Sequence, residues 1–152
     1  MHTLEKAADK AAVLSRLARL APDCPRRWGR MSPHQAVCHL NDSFRAVMGL
    51  RDVSHAPTWF NRTIARFVAL HTPVPWPQGV PTRPEVDQEI GGTAPTEFDR
   101  DARALALLVE RFAGSPRDFE FHPHPGFGAL SEREWMTWGY KHMDHHLRQF
   151  GV

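Results

Sequence analysis

Cysteine is nearly absent from this chain. Cys24 and Cys38 are the only two in 152 residues, and neither sits in a CxxC pair. That excludes a disulfide framework and fits a reducing compartment. No stretch of eighteen uninterrupted apolar residues occurs, so a membrane-spanning helix is not expected. The first residues, Met1-His2-Thr3-Leu4-Glu5-Lys6, lack a basic segment followed by an apolar one, which is the mark of an export signal. The expectation is a cytoplasmic protein with no membrane partner. An excess of charge is missing too: nineteen basic against seventeen acidic residues leave a formal +2, and the one basic concentration is Arg26, Arg27 and Arg30 around Trp28. One short connector neutralises few phosphates, so no nucleic-acid partner is expected. Alternating strand patterns and internal repeats are also lacking.

What remains is a mixture suited to one soluble helical domain over residues 1–152, with 41% hydrophobic and 24% charged residues. Thr3 is placed to cap a first helix in which Leu4, Ala7, Ala11, Leu14, Ala18 and Ala21 recur at helical spacing, ended by Pro22 and Pro25. Ser32-Pro33-His34-Gln35 is a capping box with proline in the first turn. It predicts a second helix to about Leu50, with Ala36, Val37, Leu40, Phe44, Val47 and Met48 inward and His39 on the flank of that face. A shorter helix is predicted from Thr58 to His71, with Trp59, Phe60, Ile64, Phe67 and Val68 inward. From Thr72 to Pro95, six prolines and three glycines forbid regular helix, and a loop of that length is often a functional rim or lid. A fourth helix opens at Thr96-Glu97-Phe98-Asp99 and runs through Ala113, with Phe98, Ala102, Leu105, Leu108, Val109 and Phe112 inward. Ser131-Glu132-Arg133-Glu134, a second capping box, launches the last helix to about Phe150. The expected fold class is all-α, four long helices in an up-and-down bundle with a short extra helix and a proline-rich loop as an insertion.

Histidine is the residue in surplus, with ten copies. At about 100° per residue, His142 and His146 fall within about 40° of each other on the last helix, on the arc that also holds Trp135, Gly139, Met143 and Phe150. Burying two imidazoles without partners costs a few kcal/mol; a divalent metal satisfies both at once. His39 is the third ligand expected, being the other histidine in a core-facing helix, and bundle metal sites are built from facing helices. The competing reading makes each a core histidine hydrogen-bonded to a neighbour. His145, about 60° round from His142, is expected at the outer shell of the metal or in plain packing. Asp42, one turn after His39, either orients an imidazole or acts as a base, or is merely solvated; both readings stand. Asp144 is expected to face solvent and pair with Arg148. His34, His55, His71, His122 and His124 fall near helix ends or in loops, where cap and turn contacts or plain exposure explain them, and Cys38 is expected as a small core residue. Trp76, with Arg83 and Glu85, is expected to rim a pocket.

Two blocks carry a family resemblance. The first is Trp28-Gly29-Arg30-Met31-Ser32-Pro33 leading to His39-Leu40. The second runs from His124-Pro125-Gly126-Phe127-Gly128 through Trp135 to Tyr140-Lys141-His142-Met143-Asp144-His145-His146-Leu147-Arg148-Gln149-Phe150-Gly151. Together they cover about a third of the chain and resemble the DinB-like superfamily of metal-binding helical bundles, and within it a family of unknown function. The resemblance implies an up-down-down-up bundle and a metal held by one histidine of the second helix and an HxxxH pair of the last, which map onto His39, His142 and His146. Characterised members of the superfamily include thiol-dependent transferases and isomerases, in which the metal activates the thiol of a small cofactor such as mycothiol or bacillithiol. Many carry a His-His-Arg-Gly-Gln run where this chain reads His145-His146-Leu147-Arg148-Gln149. Members also often pair, so a homodimer is implied, although no exposed apolar stripe is foreseen to require it.

Three functional readings follow. One is an enzyme with zinc or nickel on three neutral imidazoles, carrying out hydrolysis or thiol transfer on a small-molecule substrate, with a low-molecular-weight thiol as an optional cofactor. The second is a non-catalytic, dimeric metal-binding module. The third is a metal-free bundle with a histidine-lined ligand pocket.

Overall fold

The computed structural model describes residues 1–152 and is all-helical, with five α-helices and no strands: α1 (Ala7–Leu17), α2 (Pro33–Val47), α3 (Arg66–His71), α4 (Phe98–Ala113) and α5 (Glu132–Gln149). A π-helical turn, Asn61–Ala65, runs into α3, and a single 3-10 turn, Pro84–Val86, interrupts the proline-rich segment. No helix is long and apolar enough to cross a membrane.

Both capping boxes form. Ser32 Oγ accepts from Gln35 N while Gln35 Oε1 accepts from Ser32 N, and Ser131 and Glu134 reciprocate in the same way; each closes two N–H groups that the helix cannot pair. The Glu97 carboxylate caps α4 through the amides of Asp99 and Arg100. α2 stops short of the predicted Leu50 because Gly49 turns left-handed, at φ 72°, the conformation that closes helices. α1 begins later than Thr3. The Leu4 amide donates instead to Met136 O of α5 at 3.0 Å, and Thr3 N donates to the carboxylate of Asp9 in the first turn of α1 at 3.0 Å, so the first residues are tied to both helices rather than coiled into α1.

The core lies where α2 packs on α4, α1 on α5, and both pairs on each other. Val13 and Leu17 come from α1, Val37, Leu40 and Phe44 from α2, Leu105, Val109 and Phe112 from α4, and Trp135, Trp138 and Met143 from α5. Phe44 meets Phe112 edge-on at 4.9 Å and Trp138 at 5.4 Å, the offset geometry aromatic quadrupoles favour. Leu4 and Phe112 press on α5 at Gly139, where an added Cβ would fall 2.6 Å from Leu4 Cδ1 and 2.9 Å from Phe112 Cε1.

The segment around α3 is turned the other way from its predicted orientation. Trp59 is 73% and Phe67 60% exposed, and Phe60, Ile64 and Val68 also face outward; within α3 only Leu70 is buried. Polar contacts to α5 hold this segment, and one of them comes from the edge of the apolar stripe, where the His71 ring stacks on Phe67 at 5.6 Å. Arg66 grips Glu134 with two bonds of 2.7 Å, His71 Nε2 lies 3.1 Å from the same carboxylate, and Lys141 Nζ donates to the carbonyls of Ala69, Thr72 and Val74. The Arg66 guanidinium, ahead of the Ser131 bonds, holds the Glu134 carboxyl well below the usual carboxylate range. A bidentate, charge-assisted pair on a nearly buried carboxylate outranks an apolar face that has no groove to enter. The apolar stripe that the sequence did not foresee as exposed is therefore present.

The loop from 72 to 95 is bound to α2 through one buried group. Asp42 has no exposed surface, and its carboxylate accepts from Thr93 N (2.7 Å), Thr93 Oγ1 (2.7 Å) and Gln88 Nε2 (3.0 Å) and pairs with Arg51 (3.1 Å). Arg51 in turn donates to the carbonyls of Glu85 and Gly91.

Replacing Gly139 by alanine is expected to destabilise the protein. Overpacking costs about 1–3 kcal/mol, which exceeds the roughly 1 kcal/mol that alanine adds through helix propensity. Urea denaturation should show a lowered midpoint; a raised one would mean that Leu4 yields freely.

Candidate metal centre

α2 and α5 bring His39, His142 and His146 together in the interior, one ligand-type nitrogen from each within 4.8 Å of the others. All three residues are buried, with ring centroids 4.8–5.2 Å apart. His39 Nδ1 lies 2.7 Å from Val86 O. A carbonyl only accepts, so Nδ1 carries the proton and Nε2 presents a lone pair. His146 Nδ1 lies 3.0 Å from Gln149 Oε1. The Gln149 amide has its orientation set by Nε2 donating to Trp28 O at 2.9 Å, which turns its oxygen to His146 and again leaves the imidazole Nε2 bare. His142 Nε2 is 3.1 Å from His39 Nε2, while His142 Nδ1 is buried with no partner.

Burial, the largest cause in each case, pushes all three imidazoles below their ordinary 6.5, and for His142 and His146 the neighbouring rings push further. At neutral pH they are uncharged, the form that ligates metals. Trp76 and Trp138 stand over His142 at 5.6 and 5.0 Å and keep water from it. His145 packs between Trp28 (5.9 Å) and Trp76 (6.3 Å), edge-on to His146, at the margin of the cluster.

The remaining residues singled out from sequence have other places. Asp42 makes no hydrogen bond to any of the three rings; four donors already occupy its carboxylate, which leaves it no lone pair for a general base. Trp76 is at the triad, with its indole N–H donated to Ala69 O. Arg83 and Glu85 are turned to Ser54 instead, and Glu85 lines, with Arg51, Ser54, His55 and His122, an open cavity of about 370 Å³ that none of the three imidazoles borders. Asp144 is tied to Arg16 of α1 at 2.6 Å more closely than to Arg148 at 3.8 Å, so it bridges helices rather than facing solvent. His124 closes its turn by accepting from the amides of Gly126 and Phe127, with burial lowering its ring to about 3.

Two features escaped the reading of the sequence. Gln149 fixes the tautomer of His146 from three residues on, a spacing that places two side chains on one helix face. The other is a second cluster, His34, Cys38 and Asp101, whose donor atoms also converge within 4.8 Å; its signal was the four-residue spacing of His34 and Cys38. Burial and then the Asp101 carboxylate push the Cys38 thiol up to about 12, so it stands as a donor to Asp101 Oδ2 at 3.7 Å.

A family model described as protein of unknown function (DUF1569) matches residues 6–151. No curated protein and no solved structure matches the chain.

The lowered imidazoles set a pH dependence. Below about pH 6.5 the unfolded chain takes up protons at His39, His142 and His146 that the folded one refuses, so metal-free stability falls with pH, by up to about 1.4 kcal/mol per unit for each ring. Urea titrations in chelator between pH 7.5 and 5.5 should show that slope, and His142→Asn should remove one ring's share; an unchanged slope in the variant would contradict the burial argument.

Proposed function

The chain belongs to the DUF1569 family of proteins of unknown function, and we propose that His39, His142 and His146 hold one divalent cation, zinc or nickel, at the centre of a metal-dependent enzyme acting on a small molecule. The carrying observation is the pair of Nε2 atoms of His39 and His142 3.1 Å apart. Neighbouring nitrogens of a tetrahedral zinc, at about 2.0–2.1 Å from the ion, lie about 3.3 Å from one another. The donor set fits as well: three neutral imidazoles suit zinc and nickel, and Val86 O and Gln149 Oε1 orient two of them as outer partners of metal-bound histidines do. Three ligands leave a position open, and a cation there supplies Lewis-acid polarisation of a carbonyl or activation of a water or thiol.

The chain's own groups do the rest. Val86 and Gln149 hold the rings in one tautomer. Trp76 and Trp138 exclude water from His142, and His145 stands at the margin of the cluster between Trp28 and Trp76. The reaction class this supports is hydrolysis or thiol transfer, with a low-molecular-weight thiol as candidate cosubstrate. α2 and α4 run parallel, His34 meeting Asp101 at their starts and Phe44 meeting Phe112 near their ends, and α1 lies parallel to α5, with Leu4 at Met136 and Arg16 at Asp144, which favours an up-down-down-up, DinB-like bundle with the α3 segment and the proline-rich loop as its insertion.

Elemental analysis of untagged protein should find one zinc or nickel per chain, lost in His142→Ala. Adding zinc at about a hundred times its Kd should raise the melting temperature by about 5–10 °C. A metal-free protein indifferent to added zinc would overturn the reading. A thermal-shift screen with small thiols sorts transferase from hydrolase, and retained metal with no exchangeable water position would leave a non-catalytic metal-binding module.

The outward face of the α3 segment supports a homodimer. Large aromatic side chains bury about 150–250 Å² each, so Trp59, Phe60, Ile64, Phe67, Val68 and the exposed Val74 together approach the roughly 800 Å² per partner of a stable interface. The second copy presents the same stripe about a two-fold axis. Sedimentation of the wild type at tens of micromolar should report a dimer, and Phe67→Asp a folded monomer. A monomeric wild type would dismiss it.

A further inference from the structure

We propose that His34, Cys38 and Asp101 form a second divalent-cation site, of zinc type, that staples the start of α2 to the start of α4. His34 and Cys38 lie four residues apart on α2, the same helical clamp as His142 and His146, and Asp101 reaches them from the first turn of α4. His34 Nε2 is 2.8 Å and Cys38 Sγ 3.7 Å from Asp101 Oδ2, and one donor atom from each residue lies within 4.8 Å of the others. Cys38 is buried, while the His34 and Asp101 side chains are 19% and 17% exposed. The cluster therefore has a closed inner end and an open outer one, which gives an ion a path in and a water its fourth position.

Supporting contacts fix the donors. Asn41 Nδ2 donates to Asp101 O at 2.9 Å, locking the α4 turn onto α2. The Phe98 ring meets His34 edge-on at 5.4 Å and sets its plane. Thr96 N approaches Asp101 Oδ2 at 3.5 Å. Arg100 contacts Asp101 at the other oxygen, Oδ1, at 3.3 Å, and its side chain is mostly in solvent, so its charge lies outside the cluster and is screened. Sulfur, nitrogen and oxygen donors together select zinc over magnesium or calcium. On binding, the cation takes the place of the Cys38 thiol proton, which leaves to solvent, and of the proton on His34 Nε2, which the ring carries on Nδ1 instead, so that the two hydrogen bonds to Oδ2 give way to three ligand bonds; nothing is oxidised. Adjacent residues on a helix point about 100° apart, so Cys38 serves this site and His39 the other without competition.

Cobalt distinguishes the two sites, because a thiolate ligand gives a sulfur-to-cobalt charge-transfer band in the near ultraviolet and three imidazoles do not. Metal-free protein titrated with cobalt should bind two equivalents and develop the band. Cys38→Ser should lose the band and one equivalent, with folding checked by circular dichroism; Asp101→Asn, which keeps the shape, should weaken cobalt binding at this site at least tenfold. Cys24→Ser should change nothing. His142→Ala should lose the other equivalent and keep the band. No band in the wild type at saturation, or a band that survives Cys38→Ser, overturns the second site. A band with only one equivalent bound upholds it and removes the histidine triad instead.

Discussion

Asp42 is a carboxylate without any exposed surface, and four donors, from Thr93 twice, Gln88 and Arg51, converge on it. A buried charge without such partners would cost several kcal/mol, so the proline-rich loop can close over α2 only with these donors in place. That closure brings Val86 O to His39 Nδ1 and so decides which nitrogen of the ring faces the other two histidines. The loop is rich in proline, whose missing N–H groups cannot form a regular ladder. Its fixation therefore comes from side chains outside it, among them Asp42 of α2, Arg51 just beyond that helix and Lys141 of α5.

The triad is the consequence of dryness as much as of spacing. His39, His142 and His146 are shielded by Trp76, Trp138 and the helices themselves, so each ring is uncharged and each polar nitrogen needs an answer from within the protein. Val86 and Gln149 answer for two Nδ1 atoms; the Nε2 atoms are left to one another or to a cation. The same logic runs on a smaller scale in the second cluster, where Asp101 alone satisfies both His34 and Cys38.

Much of this was legible in the chain. Capping boxes at Ser32 and Ser131 marked two helix starts, because the pairing they satisfy is local to four residues. The HxxxH spacing placed two rings on one face, and the periodicity of α2 put His39 near the core. The α3 segment was misread for an identifiable reason. Its apolar residues lie on one stripe, and a stripe predicts burial only where a groove awaits it; Arg66, His71 at the stripe's edge and the carbonyls claimed by Lys141 bind Glu134 and α5 directly. Arg83 and Glu85 fell beside Ser54 because Arg51 draws the Glu85 carbonyl to itself, a contact across 34 residues that no local pattern encodes.

Sequence alone determined the long helices in outline, the capping boxes at Ser32 and Ser131, and the pairing of His142 with His146, since hydrogen bonds and side-chain directions within one helix repeat every three to four residues. Only the tertiary structure decided that His39 would join that pair, that Asp42 would clamp a loop rather than face the rings, and that α3 would turn its apolar side outward. Those outcomes depend on which buried charges and polar atoms find partners across the fold, and that competition is settled between distant parts of the chain.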